Sequence, residues 1–208
     1  FSLDVKRGIL FAGTSTPTND FYGGNRLGDG LYGNSLLAIE AETGKLKWHF
    51  QTVHHDVWDM DLSSPPALVT IKRGNTSVDA VALTTKTGFV FVFNRLTGEP
   101  LFPIEEKTVP TNDVALGEKL SPTQPFPRKP APFVRQHLTE NDLNPFLDDS
   151  SYQKIKATFK AYRHEGIFTP PTEKGTLIFP GYDGGGEWGG PSVDPETNML
   201  YVNANKID

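Results

Sequence analysis

Three observations predict an all-β fold built from antiparallel blades. Glycine and proline number 20 and 17 in a chain of 208 residues with 37% hydrophobic content. That is the balance of short strands punctuated by turns, not of a helical bundle. LLAIEAETGKLKWHF (residues 36–50) and GFVFVFNRLTGEPLF (residues 88–102) repeat one unit: a strand, a polar turn ending in Thr-Gly, and another strand. SLDVKRGILFAG (residues 2–13) and SVDPETNMLYVNA (residues 192–204) repeat a second, in which Ser, an apolar residue and Asp precede turn formers and an alternating strand. Thr43-Gly44 and Thr97-Gly98 stand 54 positions apart, a spacing compatible with one four-stranded propeller blade plus an insertion. The expected architecture is therefore a partial β-propeller.

Taken in order, residues 1–61 read as one blade and residues 62–104 as the next. In both, glycine supplies the positive backbone angle that a tight turn needs. The Thr-Gly turns, and Trp48 after the first of them, are expected to pack neighbouring blades together. Residues 105–164 have another character. Pro110, Pro122, Pro125, Pro127, Pro130 and Pro132 exclude continuous regular structure over the first part and predict an extended insertion packed over the blades. Thr139 followed by Asp142 can cap a short helix, and Ile155, Phe159 and Tyr162 recur at helical spacing. Residues 165–208 read as part of a further blade. The chain starts at Phe1, within a strand-like stretch, so the expectation is a piece of a longer propeller.

Composition narrows the function classes. A formal net charge of -5 and small basic clusters such as Lys72-Arg73 argue against a nucleic-acid partner. The absence of cysteine excludes disulfides and thiolate metal sites but does not decide the compartment. No apolar stretch approaches the roughly 18 residues that span a bilayer, and no signal peptide opens the sequence. The Gly23-Gly24 and Gly28-Asp29-Gly30 runs lack the strand-to-helix context of a nucleotide-binding fingerprint.

Off the repeat lie two segments that carry chemistry. TVHHDVWDMD (residues 52–61) gathers three aspartates, two histidines and a tryptophan, and TTKTG (residues 84–88) places an isolated lysine downstream. Ionisable groups seldom cluster beside apolar neighbours without a use. Read as an extended segment, the first run puts Val57, Asp59 and Asp61 on one side and Asp56, Trp58 and Met60 on the other. Adjacent His54 and His55 would face opposite ways, and no HExxH or Cys/His spacing accompanies them, so packing or orientation of Asp59 suits them better than zinc.

These segments, with SPTQPFP (residues 121–127) and EGIFTPP (residues 165–171), closely resemble the membrane-type glucose dehydrogenases that use pyrroloquinoline quinone (PQQ), together with their quinate, polyol and alcohol relatives. The resemblance implies an eight-bladed propeller of which this chain supplies two and a half to three blades. It also implies oxidation of an aldose, polyol or cyclic alcohol by hydride transfer to PQQ, with electrons passed to a membrane quinone at the periplasmic face of the bacterial inner membrane. Such oxidation needs a base for the hydroxyl proton and a cation polarising the quinone oxygens. By motif match, Asp59 is the base and also lies against cofactor and metal, and Lys86 touches the quinone.

Other residues follow less directly from the resemblance. Asp61 resembles an added metal ligand; ordinary turn chemistry would instead have it cap a turn before Ser63 and Pro65. The cation is expected to be calcium or magnesium, with a lanthanide also compatible. Thr16 and Asn19 stand near the place where the family supplies a cation-ligating asparagine, although an Asx-turn explains Thr-Asn-Asp before a glycine pair equally well. Glycines 184–186 would let backbone approach a ligand. Glu187-Trp188 sits where quinoprotein alcohol dehydrogenases carry Asn-Trp facing the cofactor, with a blade-core tryptophan as the alternative for Trp188. The stacking tryptophan, an acidic ligand and a substrate-side histidine are expected upstream of Phe1, so the isolated piece should be inactive. The competing function is a non-catalytic propeller scaffold of the outer-membrane assembly type, since fold alone does not establish catalysis. Asp59 and Lys86 favour the enzyme.

Overall fold

The structure is a computed structural model and describes residues 1–205. Strands β1 (Ser2–Asp4), β2 (Ile9–Gly13), β3 (Ser35–Glu40) and β4 (Leu46–Gln51) form a four-stranded antiparallel meander in chain order. The turn from β3 to β4 closes through Gly44, at φ 71°, whose N–H donates to Glu40 O at 2.9 Å. β5 (Ala67–Arg73), β6 (Thr76–Thr84) and β7 (Val90–Asn94) form the second antiparallel sheet. Its fourth member is reduced to a bridge between Phe93 and Pro100, extended by Leu101 N–H donating to Val92 O at 2.8 Å. Proline at 100 has no N–H to carry a longer ladder.

The two blades meet through the repeat itself. The Trp48 ring lies 5.8 Å from both Phe11 of the first blade and Phe93 of the second, and its Nε1–H donates to Arg95 O at 3.3 Å. Gly98, at φ 74°, sits so close to Trp48 that a Cβ there would lie 2.7 Å from the indole. One blade's Thr-Gly turn thus seats on the other blade's tryptophan, and both the backbone angle and the approach require glycine. Below this contact Asp4 accepts from Arg7 at 2.8 Å and from Arg95 at 3.0 Å, and Arg7 also bonds Asp79. Burial pushes the Asp4 carboxyl up, but the two guanidinium groups outweigh it and hold the group below the usual carboxylate range.

The proline-rich stretch differs from its expectation, because it contains regular structure. β8 (Ile104–Thr108) and β9 (Thr123–Pro127) pair as a hairpin, with Glu106 opposite Pro125 and Ile104 opposite Pro127. Arg128 N–H donates to Pro103 O at 2.9 Å, so the residues in step with it face β8. Pro125 and Pro127 are out of step, on the open edge where a missing N–H breaks no ladder bond. Thr139 caps a 3₁₀ turn (Glu140–Asp142), and the helix proper is α1 (Asp149–Ala161), capped by Asp148, which accepts from Ser150 N–H and Ser151 N–H. Of the three apolar residues at helical spacing only Phe159 is buried; Ile155 and Tyr162 are exposed. β10 (Pro191–Val193) and β11 (Leu200–Val202) close the described chain as a short antiparallel pair. No helix among the described residues is long and apolar enough to cross a membrane.

Candidate active site

Residues 52–61 leave β4 and fold into a loop, which corrects the expectation of an extended segment. His55 at φ 45° and Asp59 at φ 59° occupy the left-handed region, which breaks the two-residue alternation. Val57 is fully buried with Trp58 and Met60, whereas Asp59 and Asp61 are part exposed. The loop turns about the buried Asp56 carboxylate, which accepts from Trp58 N–H, Met60 N–H and Asn34 Nδ2–H, each at 2.8 Å, and from the Thr16 hydroxyl at 2.5 Å. Burial holds Asp56 above the ordinary carboxylate range against those four hydrogen bonds. Trp58 donates Nε1–H to Thr169 O at 2.7 Å and stands edge-on to Phe168, so it fastens the loop to the segment that follows the insertion.

The two aspartates nevertheless converge. Lys86, at the turn after β6, has a side chain only 7% exposed and donates to Asp59 O at 3.0 Å, Asp59 Oδ2 at 3.3 Å and Asp61 Oδ2 at 3.2 Å. Glu187 Oε1 lies 3.8 Å from the same nitrogen. Glycines 184–186 allow a close backbone approach, and what they approach is the chain's own Lys86 turn. A Cβ at Gly184 would lie 2.4 Å from Lys86 Cβ, and Gly185 N–H donates to Lys86 O at 2.7 Å. Ser64 Oγ–H donates to Glu187 O at 2.8 Å and holds that loop in place.

One ammonium therefore faces three carboxylates. Burial pushes the Asp59 carboxyl up, Lys86 pulls it down and Asp61 pushes it up again, which leaves it at about 6. Asp61 also feels burial, yet the Thr16 N–H at 2.7 Å and Lys86 hold it below the ordinary range. Desolvation lowers Lys86, but the two aspartates outweigh it and raise the ammonium above its usual value. Asp61, Lys86 and Glu187 of this group line a cleft of about 400 Å³ together with Ser63, Trp188 and Phe1, and Asp59 adjoins it through Lys86. Such an excess of carboxylate oxygen suits a hard cation, which would offset the burial that raises Asp59 and the smaller push from Asp61. Among the described residues no group of three His, Asp or Glu side chains is already arranged to hold a metal, so further ligands would have to come from cofactor or water.

The remaining sequence candidates separate. Thr16 joins the site, but through its N–H to Asp61 and its hydroxyl to Asp56. Asn19 is exposed, and its carbonyl accepts from Arg26 at 3.1 Å; none of its hydrogen bonds leads to Asp59, Asp61 or Lys86. Trp188 is 81% exposed at the cleft mouth. The histidines do not orient Asp59. Buried His55 bonds Gly28 O at 2.6 Å and Glu118 Oε1 at 2.7 Å, and His54 bonds Gln51 and Glu106. Sequence reasoning missed the hub role of Asp56, together with Asn34 and Ser64. An aspartate two and four residues before its amide partners is the usual signal of an Asx-type turn.

Blades of this kind, carrying a lysine set among acidic side chains beside a cleft, define a propeller of the quinoprotein class. The family described as "PQQ: Glucose/ethanol/alcohol dehydrogenase, beta-propeller domain" matches residues 1–208, and the chain belongs to it. It is 43% identical to quinoprotein glucose dehydrogenase A of Acinetobacter calcoaceticus, over 96% of this chain and 26% of that protein. Against quinoprotein glucose dehydrogenase of Escherichia coli (strain K12) the identity is 40%, over 96% of this chain and 25% of that one. Among solved structures, the quinohemoprotein alcohol dehydrogenase of Comamonas testosteroni matches 97% of this chain and 24% of its own, with TM-score 0.58 and 21% identity, a likeness of fold. The chain spans about a quarter of the length of the curated relatives it matches.

Proposed function

We propose that this chain forms part of a PQQ-dependent dehydrogenase that oxidises an aldose, polyol or cyclic alcohol and passes electrons to a membrane quinone at the periplasmic face of the inner membrane. The observation that carries the reading is Lys86, enclosed by Asp59, Asp61 and Glu187 on the cleft wall. The naming of similar proteins as glucose and glycerol dehydrogenases supports the substrate class. A scaffold gains nothing from one buried lysine among three acidic groups.

PQQ, when bound, supplies the hydride acceptor. Asp59 takes the hydroxyl proton on its carboxylate, which a bound cation would keep ionised. Lys86 has three N–H bonds, and all three are engaged by Asp59 O, Asp59 Oδ2 and Asp61 Oδ2. A calcium, magnesium or lanthanide ion drawing Asp59 and Asp61 to itself would free one of these for a quinone oxygen. Glu187 and Trp188 border the space the cofactor would fill, with Asp61 as metal ligand and Thr16 holding Asp61 in place. Asn19, with no bond into this group, is left as a ligand only if its loop moves.

The test is PQQ titration of the full-length protein with calcium or magnesium, followed by dye reduction with glucose, quinate and glycerol. Saturable PQQ-dependent turnover that Lys86→Ala lowers, with weaker PQQ binding, is the expected result; absence of turnover on every substrate would favour the scaffold. The 208 residues alone should show no such turnover.

A further inference from the structure

We propose that Asp56 is the positioning residue of this site, its buried carboxylate setting the pose of both Asp59 and Asp61. The proposal rests on the dehydrogenase reading above and adds to it a residue that never touches substrate. Asp56 is 1% exposed and lies outside the cleft. Its hold on Asp59 is local. The amides of Trp58 and Met60, on either side of Asp59, both donate to this one carboxylate, so the backbone of Asp59 is gripped from both flanks. That grip keeps Asp59 in the left-handed region, which side chains other than glycine seldom occupy.

Its hold on Asp61 is indirect and runs through Thr16. The Thr16 hydroxyl donates to Asp56 Oδ2, and its N–H donates to Asp61 Oδ1. Asn34 completes the cradle, since its Nδ2–H groups reach both Asp56 Oδ2 and Met60 O at 2.8 and 2.9 Å. Oδ2 alone therefore receives three donors and Oδ1 a fourth, a load that a carboxylate accepts and a neutral amide does not. In Asp56→Asn the new NH₂ must face either Met60 N–H and Asn34 Nδ2–H or, flipped, Trp58 N–H. Donor meets donor in both cases, and the loop bearing Asp59 has to shift.

The test uses the full-length protein with PQQ and calcium, comparing wild type, Asp56→Asn, Thr16→Val and Thr16→Ser. Asp56→Asn should lower kcat about 100-fold with KM little changed, the scale expected when a reacting group is displaced by about 1 Å. Amide hydrogen exchange over residues 52–61 should quicken at least about tenfold without cofactor, while β6 stays protected. Thr16→Val removes the hydroxyl donor and keeps the shape, so it should move both readouts the same way by less, and Thr16→Ser should restore them. If Asp56→Asn fails to fold, the Val and Ser pair decides alone. Normal kcat in Asp56→Asn, or a loss of kcat with unchanged exchange, overturns the positioning role. Wild type without PQQ-dependent turnover overturns the dehydrogenase reading and this proposal with it.

Discussion

Two of the charge clusters in this molecule, one at the blade seam and one at the cleft, are built on opposite principles. At the seam between blades, Asp4 and Asp79 meet Arg7 and Arg95, two carboxylates for two guanidinium groups. Arg95 completes its bonding on Ala80 O and Val69 O, and both aspartates are held below the usual range by their arginines despite burial. At the cleft one lysine serves three carboxylates, and Asp59 rises to about 6. A cluster that only holds the fold together balances its charges, because an unmatched buried charge is expensive. An imbalance that survives at a cleft points to a further charge brought in by a ligand.

The sharpest way to break this contrast is to mutate both sides in the full-length enzyme. Asp59→Asn should reduce kcat by roughly 10²- to 10⁴-fold, the usual contribution of a general base, with little loss of stability. Arg95→Met should do the reverse. It leaves Asp4 buried beside one partner instead of two and should lower unfolding free energy by about 3 kcal/mol, read by denaturant titration, while kcat per folded enzyme stays within about twofold. Equal effects of both variants on kcat would erase the distinction. Gly98→Ala tests the apolar half of the seam: with φ at 74° and Trp48 in the way, a loss of about 1–3 kcal/mol is expected.

The seam was the more legible region in the sequence. Thr43-Gly44, Thr97-Gly98 and Trp48 recur because every blade needs the same turn and the same packing, and a repeated demand leaves a repeated signal. The site is not repeated, so it was legible only through motif likeness in TVHHDVWDMD and TTKTG. That likeness named Asp59, Asp61 and Lys86, which do come together, but strand alternation misread how they do so. Positive φ at Asp59 is invisible to a two-residue period, and Asp56 looked like one more aspartate until its four donors were seen. Trp188, which the motif likeness sets beside the cofactor, stands at the cleft mouth, a position that a tryptophan's burial tendency says nothing about. Asn19 was ambiguous in the sequence because its neighbours fit a turn and a ligand equally well.

The smallest expected effect is a difference in sign. Asp4 and Asp79 have folded pKa values below the unfolded value of 3.8, so their stabilisation is present above that pH and is lost as pH falls through the folded values. Asp59 has a folded value of about 6, above 3.8, so between about pH 4 and 6 the folded state binds more protons than the unfolded one. Its contribution is fully present below pH 4 and is lost as pH rises through 6. Unfolding free energy should therefore fall on both sides, with Asp4, Asp79 and the likewise lowered Asp61 contributing to the acid limb and Asp59, beside the raised Asp56, to the decline above pH 4. Asp59→Asn should lessen that decline while Asp4 and Asp79 keep their share of the acid limb, and Arg95→Met should weaken that share and leave the decline. Calcium, by keeping Asp59 ionised, should flatten the wild-type decline in the same way. A decline unchanged by both Asp59→Asn and calcium would mean that the imbalance at Lys86 is already compensated within the chain, and the contrast between the two clusters would fail.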